Sequence, residues 1–68
     1  MKLSARNQIS GTILSVNAGP ISAAVKIDIG GGNIITSSVT HEAVDDLALK
    51  QGDAVTVIVK ASDVLIGK

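Results

Sequence analysis

The chain has 68 residues, 46% of them hydrophobic. Six basic and six acidic residues give a formal net charge of zero, and Cys, Phe, Tyr and Trp are absent. That length is read as a single domain over residues 1–68, too small to bury an ample core by itself. The missing cysteines and the lone His41 exclude disulfides and a Cys/His zinc centre, so self-association is the expected reinforcement.

Zero net charge and the lack of aromatic stacking platforms weigh against nucleic acid as a partner. No apolar run approaches the roughly 20 residues that cross a bilayer, so no membrane partner is expected. Met1-Lys2-Leu3-Ser4 has no apolar stretch behind it, which reads as no secretory signal and a cytoplasmic location.

The chain then divides into short elements. Gln8 to Val16 is a predicted first strand, with Gly11 as a bulge or bend, and Asn17-Ala18-Gly19-Pro20 closes it with a turn. Ile21, Ala23, Val25, Ile27 and Ile29 alternate with Ser22, Ala24, Lys26 and Asp28, the period-two signature of a strand with one buried face. Gly30-Gly31-Gly32-Asn33 breaks the chain, and the β-branched run from Asn33 to Val39 reads as the returning arm of a hairpin. Thr40 to Leu47 is a predicted short helix, with Thr40 as N-cap, Glu42 near its positive end, and Val44 and Leu47 toward the core. Lys50-Gln51-Gly52-Asp53 turns the chain. Ala54 to Lys60 alternates again, and Val64-Leu65-Ile66 is expected as a last short strand. The implied fold is all-β: a small five-stranded OB-like barrel, with one short helix between strands 3 and 4. Half of a β-sandwich is the alternative.

Little in the chain points to catalysis, and the protein is read as no enzyme. A nucleophilic triad needs a base, and an exposed histidine at a helix start accounts for His41. Asp45 and Asp46 are adjacent in the helix and point about 100° apart, as a solvated face does. Gly30 to Gly32 joins two strands and opens no helix, so it lacks the setting of a phosphate loop. No free-cation metal site is expected.

Two clusters are more informative. Ser4-Ala5-Arg6-Asn7-Gln8 lies near the N-terminus and Lys60-Ala61-Ser62-Asp63 near the C-terminus. Each sets a cation two residues from a hydroxyl, and in extended chain such positions project on the same side. Ser4 with Arg6 and Lys60 with Ser62 each present a donor pair, and the four together suit an anion; ordinary surface charges and turn serines are the simpler alternative. Asp63, the carboxylate nearest in sequence, is expected to point away by strand alternation.

These elements resemble the molbindins, small molybdate-binding proteins. The resemblance runs from Ser4-Ala5-Arg6-Asn7-Gln8 and Gly11 through Gly31-Gly32-Asn33, Ile35-Thr36-Ser37 and Leu47-Ala48-Leu49-Lys50-Gln51-Gly52 to Val59-Lys60-Ala61-Ser62-Asp63-Val64. It covers essentially the whole chain, and no ATPase or DNA-binding part accompanies it. The resemblance implies a homohexamer, a trimer of dimers, holding molybdate or tungstate between subunits for storage or buffering, with no organic cofactor. It implies Ser4, Ala5, Arg6, Lys60, Ala61 and Ser62 as binding residues, with Thr40 supplied by a neighbouring subunit. The competing reading is a β-barrel interaction module without a small ligand, and a nucleic-acid-binding barrel ranks third.

Overall fold

The computed structural model describes residues 4–68; residues 1–3, on which the expectation about a secretory signal rests, lie outside the described residues. Four strands and one α-helix follow in the order β1 (Asn7–Ala18), β2 (Ser22–Gly30), β3 (Asn33–Thr40), α1 (His41–Leu47) and β4 (Ala54–Val59). A single 3-10 turn, Ala61–Asp63, follows β4. The strands form one antiparallel sheet in the order β3-β2-β1-β4.

The long first strand organises the sheet. Its N-terminal half, Asn7 to Thr12, pairs with β4, and its C-terminal half, from Thr12 to Ala18, pairs with β2. One strand shared between two partners coils the sheet over its apolar face. Gly11 sits at this handover. A Cβ there would stand 2.5 Å from Ile27 Cγ2 and 3.0 Å from the Asp28 carbonyl oxygen, so the bare backbone is what lets β2 cross closely over β1. The ladder runs regularly through Gly11, opposite Val55. The irregularity expected at Gly11 falls instead between Ile13 and Ser15, where Leu14 interrupts pairing with β2.

The alternating strand is found as β2, and its inward residues Ala23, Val25 and Ile27 are buried beside Ile13, which is 1% exposed. Ile21 shares the alternation but precedes the first ladder pair, Ser22 with Thr40, and is 81% exposed. The β2–β3 hairpin turns on Gly31 and Gly32, both at positive φ (65° and 79°). That is the geometry demanded by a two-residue loop matched to strand twist. The Asp28 carboxylate accepts from the Gly30 N–H at 2.8 Å.

Thr40 caps α1 as expected, its Oγ1 accepting from the Ala43 N–H at 3.0 Å. The helix ends at Ala48, which takes the left-handed conformation (φ 50°), while the Leu49 N–H bonds back to the Val44 carbonyl at 3.0 Å. Val44 is buried, but Leu47, expected in the core, is 68% exposed, because the helix stops before its last residue is covered.

The C-terminus departs most from expectation. Val64-Leu65-Ile66 is no strand: the 3-10 turn steers the chain away from β4 after Val59, and Leu65 and Ile66 stand 90% and 88% exposed. With four strands in the described residues rather than five, the sheet stays open between β3 and β4 instead of closing into a barrel.

Candidate functional site

The β1–β4 ladder ends at the pair Asn7 and Val59. Arg6 and Lys60 adjoin that pair, each one residue outside its strand. Ser4 and Ala5 precede Arg6, and Ala61 and Ser62 open the 3-10 turn that follows Lys60. Residues more than fifty positions apart in sequence are thereby delivered to one end of one strand pair. Ser4, Ala5, Arg6, Lys60, Ala61 and Ser62 line an open cleft of about 480 Å³, joined by Ile58 and Asp63.

Local contacts fix this end of the ladder. The Asn7 side-chain amide donates to the Val59 carbonyl at 3.1 Å, clamping the first residue of β1 to the last of β4. The Gln8 side-chain amide donates to the Ala5 carbonyl at 3.3 Å, holding the bend that carries Arg6. Asn7 and Gln8 belong to the N-terminal cluster, yet they act on the backbone, leaving Ser4 and Arg6 to face outward.

Two cations lining one cleft repel one another unless something negative lies between them. Among the described residues neither Arg6 nor Lys60 enters an ion pair; the ion pair found there is His41 with Asp45, at 3.3 Å. The cleft therefore offers two positive side chains, two hydroxyls and the backbone N–H groups of a 3-10 turn: a set rich in donors. Arg6, Lys60, Ser4 and Ser62 are all exposed in the single chain. Water then screens the charges, so a pair at 4 Å contributes only about 1 kcal/mol.

Two sequence expectations need revision here. Asp63 does not turn away: Ser62 and Asp63 lie in a 3-10 turn, where strand alternation no longer applies, and Asp63 lines the same cleft. Ile58 was overlooked, although it precedes Lys60 by two residues on the outer face of β4, the same spacing that linked Lys60 to Ser62. Thr40 is not part of this cleft; it ends β3, the edge strand farthest from β4.

His41 is half-buried and structural in its contacts. Its Nδ1 lies 2.8 Å from the Gly19 carbonyl oxygen and its Nε2 faces Asp45, tying the helix start to the β1–β2 turn. Among the described residues there is no His/Cys/Asp/Glu cluster able to hold a metal ion, and no helix is long and apolar enough to cross a membrane.

Known proteins share this sequence pattern and this fold. Residues 3–66 match the TOBE domain. A probable molybdenum-pterin-binding protein of Haemophilus influenzae is 46% identical over 67 residues, covering 98% of this chain and 97% of the relative. Molybdenum-pterin-binding protein 1 of Clostridium pasteurianum is 41% identical over 66 residues, covering 97% of each. Among solved structures, MopII from Clostridium pasteurianum superposes with a TM-score of 0.92 at 39% identity, over 98% of this chain and all of that one. A molybdate-binding protein from Sporomusa ovata gives 0.93 at 34% identity over the full length of both chains. The chain therefore belongs to the TOBE domain family, among its Mop-like molbindin members.

Proposed function

We propose that the protein binds molybdate, and tungstate alike, in the cleft between Arg6 and Lys60, and that it stores or buffers the anion without chemical change. The observation that carries this reading is that Arg6 and Lys60, next to the Asn7–Val59 pair, line one cleft together with Ser4 and Ser62. At neutral pH molybdate is a tetrahedral dianion whose oxygens only accept hydrogen bonds. Two cations balance its charge, and hydroxyls with backbone N–H groups meet the remaining acceptors. The relatives whose names refer to molybdenum-pterin or molybdate binding support the choice of ligand.

An open cleft in one chain is too wet for tight binding. A second subunit laid over it lowers the local dielectric and strengthens each contact. In this reading the sites lie between subunits of a homohexamer, a trimer of dimers, and a neighbour contributes Thr40. Thr40 Oγ1 spends a lone pair on the Ala43 N–H, yet its hydroxyl proton stays free to donate to an anion. The protein then works in the cytoplasm as a carrier of the anion and not as an enzyme, with no organic cofactor.

Calorimetric titration with molybdate, tungstate, sulfate and phosphate tests this. A ring of donors spaced for the larger anions leaves some unpaired around sulfate, and each unpaired donor in a dry site costs about 1–3 kcal/mol. Two missed contacts correspond to roughly a hundredfold preference for molybdate and tungstate. Displacement of bound molybdate by equimolar sulfate at constant ionic strength overturns a size-selective site. Absence of heat with every oxyanion overturns the reading altogether and leaves an interaction module in its place.

A further inference from the structure

Ser4, Arg6, Lys60 and Ser62 can all donate hydrogen bonds into the cleft, whereas an ionised carboxylate only accepts them. Among the described residues Asp63 is the one carboxylate in the lining. It forms no ion pair there, although Arg6 and Lys60 line the same space, and its side chain is exposed. The turn that carries Asp63 is held by main chain. Its N–H donates to the Lys60 carbonyl at 2.9 Å, and the Val64 N–H donates to the Ala61 carbonyl at 3.2 Å. Neither bond uses the carboxylate, so the local fold gives no reason for a negative charge at this position.

The chemistry of tetrahedral oxyanions supplies one. Molybdate, tungstate and sulfate carry no proton at neutral pH, so every oxygen is an acceptor. Phosphate and arsenate keep a proton there and present an O–H donor beside their acceptor oxygens. A carboxylate next to the first kind meets only acceptors and repels them. Next to the second kind it receives a short, charge-assisted O–H···O bond. The hydroxyls of Ser4 and Ser62 cannot draw this distinction, because each rotates to donate or to accept. The cations cannot draw it either, since they only donate.

We propose that Asp63 is a specificity residue that reads the proton of the ligand: it makes the cleft favour hydrogen phosphate and hydrogen arsenate over proton-free anions of the same size and charge. The proposal rests on the oxyanion reading of the cleft and deepens it. Size separates molybdate and tungstate from the smaller anions, and Asp63 ranks the smaller anions among themselves. Sulfate, small and without a proton, is disfavoured on both counts. Molybdate also meets repulsion from Asp63, and its fuller set of donor contacts offsets it.

Calorimetry with phosphate, sulfate and monofluorophosphate at mildly alkaline pH and low, constant ionic strength tests this. Under those conditions all three are tetrahedral dianions of similar size, and phosphate alone carries an O–H. Each is titrated directly and as a competitor of bound molybdate. The wild-type protein should bind phosphate roughly fivefold or more tighter than the other two, the size of a screened charge-assisted bond. In Asp63→Asn the amide offers both a donor and an acceptor. Sulfate and monofluorophosphate should then gain, and the preference should fall below about twofold. Asp63→Glu, which keeps a carboxylate, should keep phosphate ahead. Circular dichroism should be unchanged in both variants, because the turn is held by main-chain bonds. A wild-type protein that binds phosphate no better than sulfate overturns the proposal, and so does a preference that survives in Asp63→Asn. If molybdate binds and the phosphate preference is missing, this inference fails alone. If no anion gives heat, the oxyanion reading fails with it.

Discussion

Arg6 and Lys60 adjoin the two residues, Asn7 and Val59, whose pairing ends the β1–β4 ladder, and both line one open cleft. Like charges lining one cleft disfavour the empty fold. The arrangement becomes favourable when a dianion lies between them, so removal of one cation acts on binding and stability in opposite directions.

Arg6→Ala should therefore weaken molybdate binding while leaving the melting temperature unchanged or slightly raised. A charge-assisted hydrogen bond contributes about 1.5–3 kcal/mol, which corresponds to a tenfold or greater loss of affinity. Lys26→Ala is the control. Lys26 is exposed in the middle of β2, between Ser15 and Thr36 on its neighbours, and its removal should change affinity less than about threefold by long-range charge alone. Calorimetry on both variants checks the pair; equal losses would point to diffuse attraction and away from a defined cleft.

Asp63 gives a prediction of the opposite sign. Asp63 lines the same cleft as the two cations and brings a negative charge and acceptor oxygens to a site where the anion needs donors. Asp63→Asn keeps the shape and removes the charge. The side chain is exposed, so the gain is that of a water-screened pair, about 1 kcal/mol or less. Molybdate affinity should rise by up to roughly fivefold at low salt, and the gain should shrink as ionic strength rises. A loss of affinity instead would mean that Asp63 positions Lys60 or Arg6.

Local patterns carried much of this fold. The alternation around Val25 set β2, the triple glycine set its hairpin, and Thr40 set the helix start, because each follows from a few neighbouring residues. The two halves of the cleft were also visible as clusters. Their meeting depends on the register of β1 against β4, which no local pattern encodes. Asp63 was misjudged because a strand rule was carried past Val59 into a 3-10 turn. The fifth strand was misjudged because Val64-Leu65-Ile66 has the composition of a strand, whereas a strand also needs an edge to pair with. Gly11 reads from the sequence as a bulge or bend, because a glycine within a strand has several common causes, and only the crossing of Ile27 reveals the close approach that applies.

That crossing is itself testable. Gly11→Ala places a methyl group 2.5 Å from Ile27 Cγ2 and 3.0 Å from the Asp28 carbonyl, where one neighbour is backbone and cannot move cheaply. Overpacking of this kind costs about 1–3 kcal/mol. For a domain of this size the thermal midpoint should fall by roughly 5–20 °C. Gly67→Ala, where nothing lies within 4 Å of the added carbon, should leave the midpoint unchanged. Thermal melts of the two variants separate close approach of the strands from a general preference for glycine.

Thr40 combines two tasks that one substitution can separate. Its Oγ1 accepts from the Ala43 N–H at 3.0 Å and caps α1, and in the proposed assembly its hydroxyl proton points to a neighbour's anion. Thr40→Val removes both, so a loss of binding there is confounded by a cap worth about 1 kcal/mol. Thr40→Asp keeps a capping oxygen, and its charge suits the helix start. It also replaces a donor by a carboxylate that repels the anion. Its stability should stay within about 0.5 kcal/mol of the wild type, while molybdate affinity falls at least tenfold, the size of one lost donor plus repulsion. Thr40→Ser keeps both oxygen and proton and should retain both properties. Light scattering must show the same assembly mass for all three variants. If Thr40→Asp then binds molybdate as tightly as the wild type, Thr40 belongs to the helix alone and the site draws no side chain from that strand.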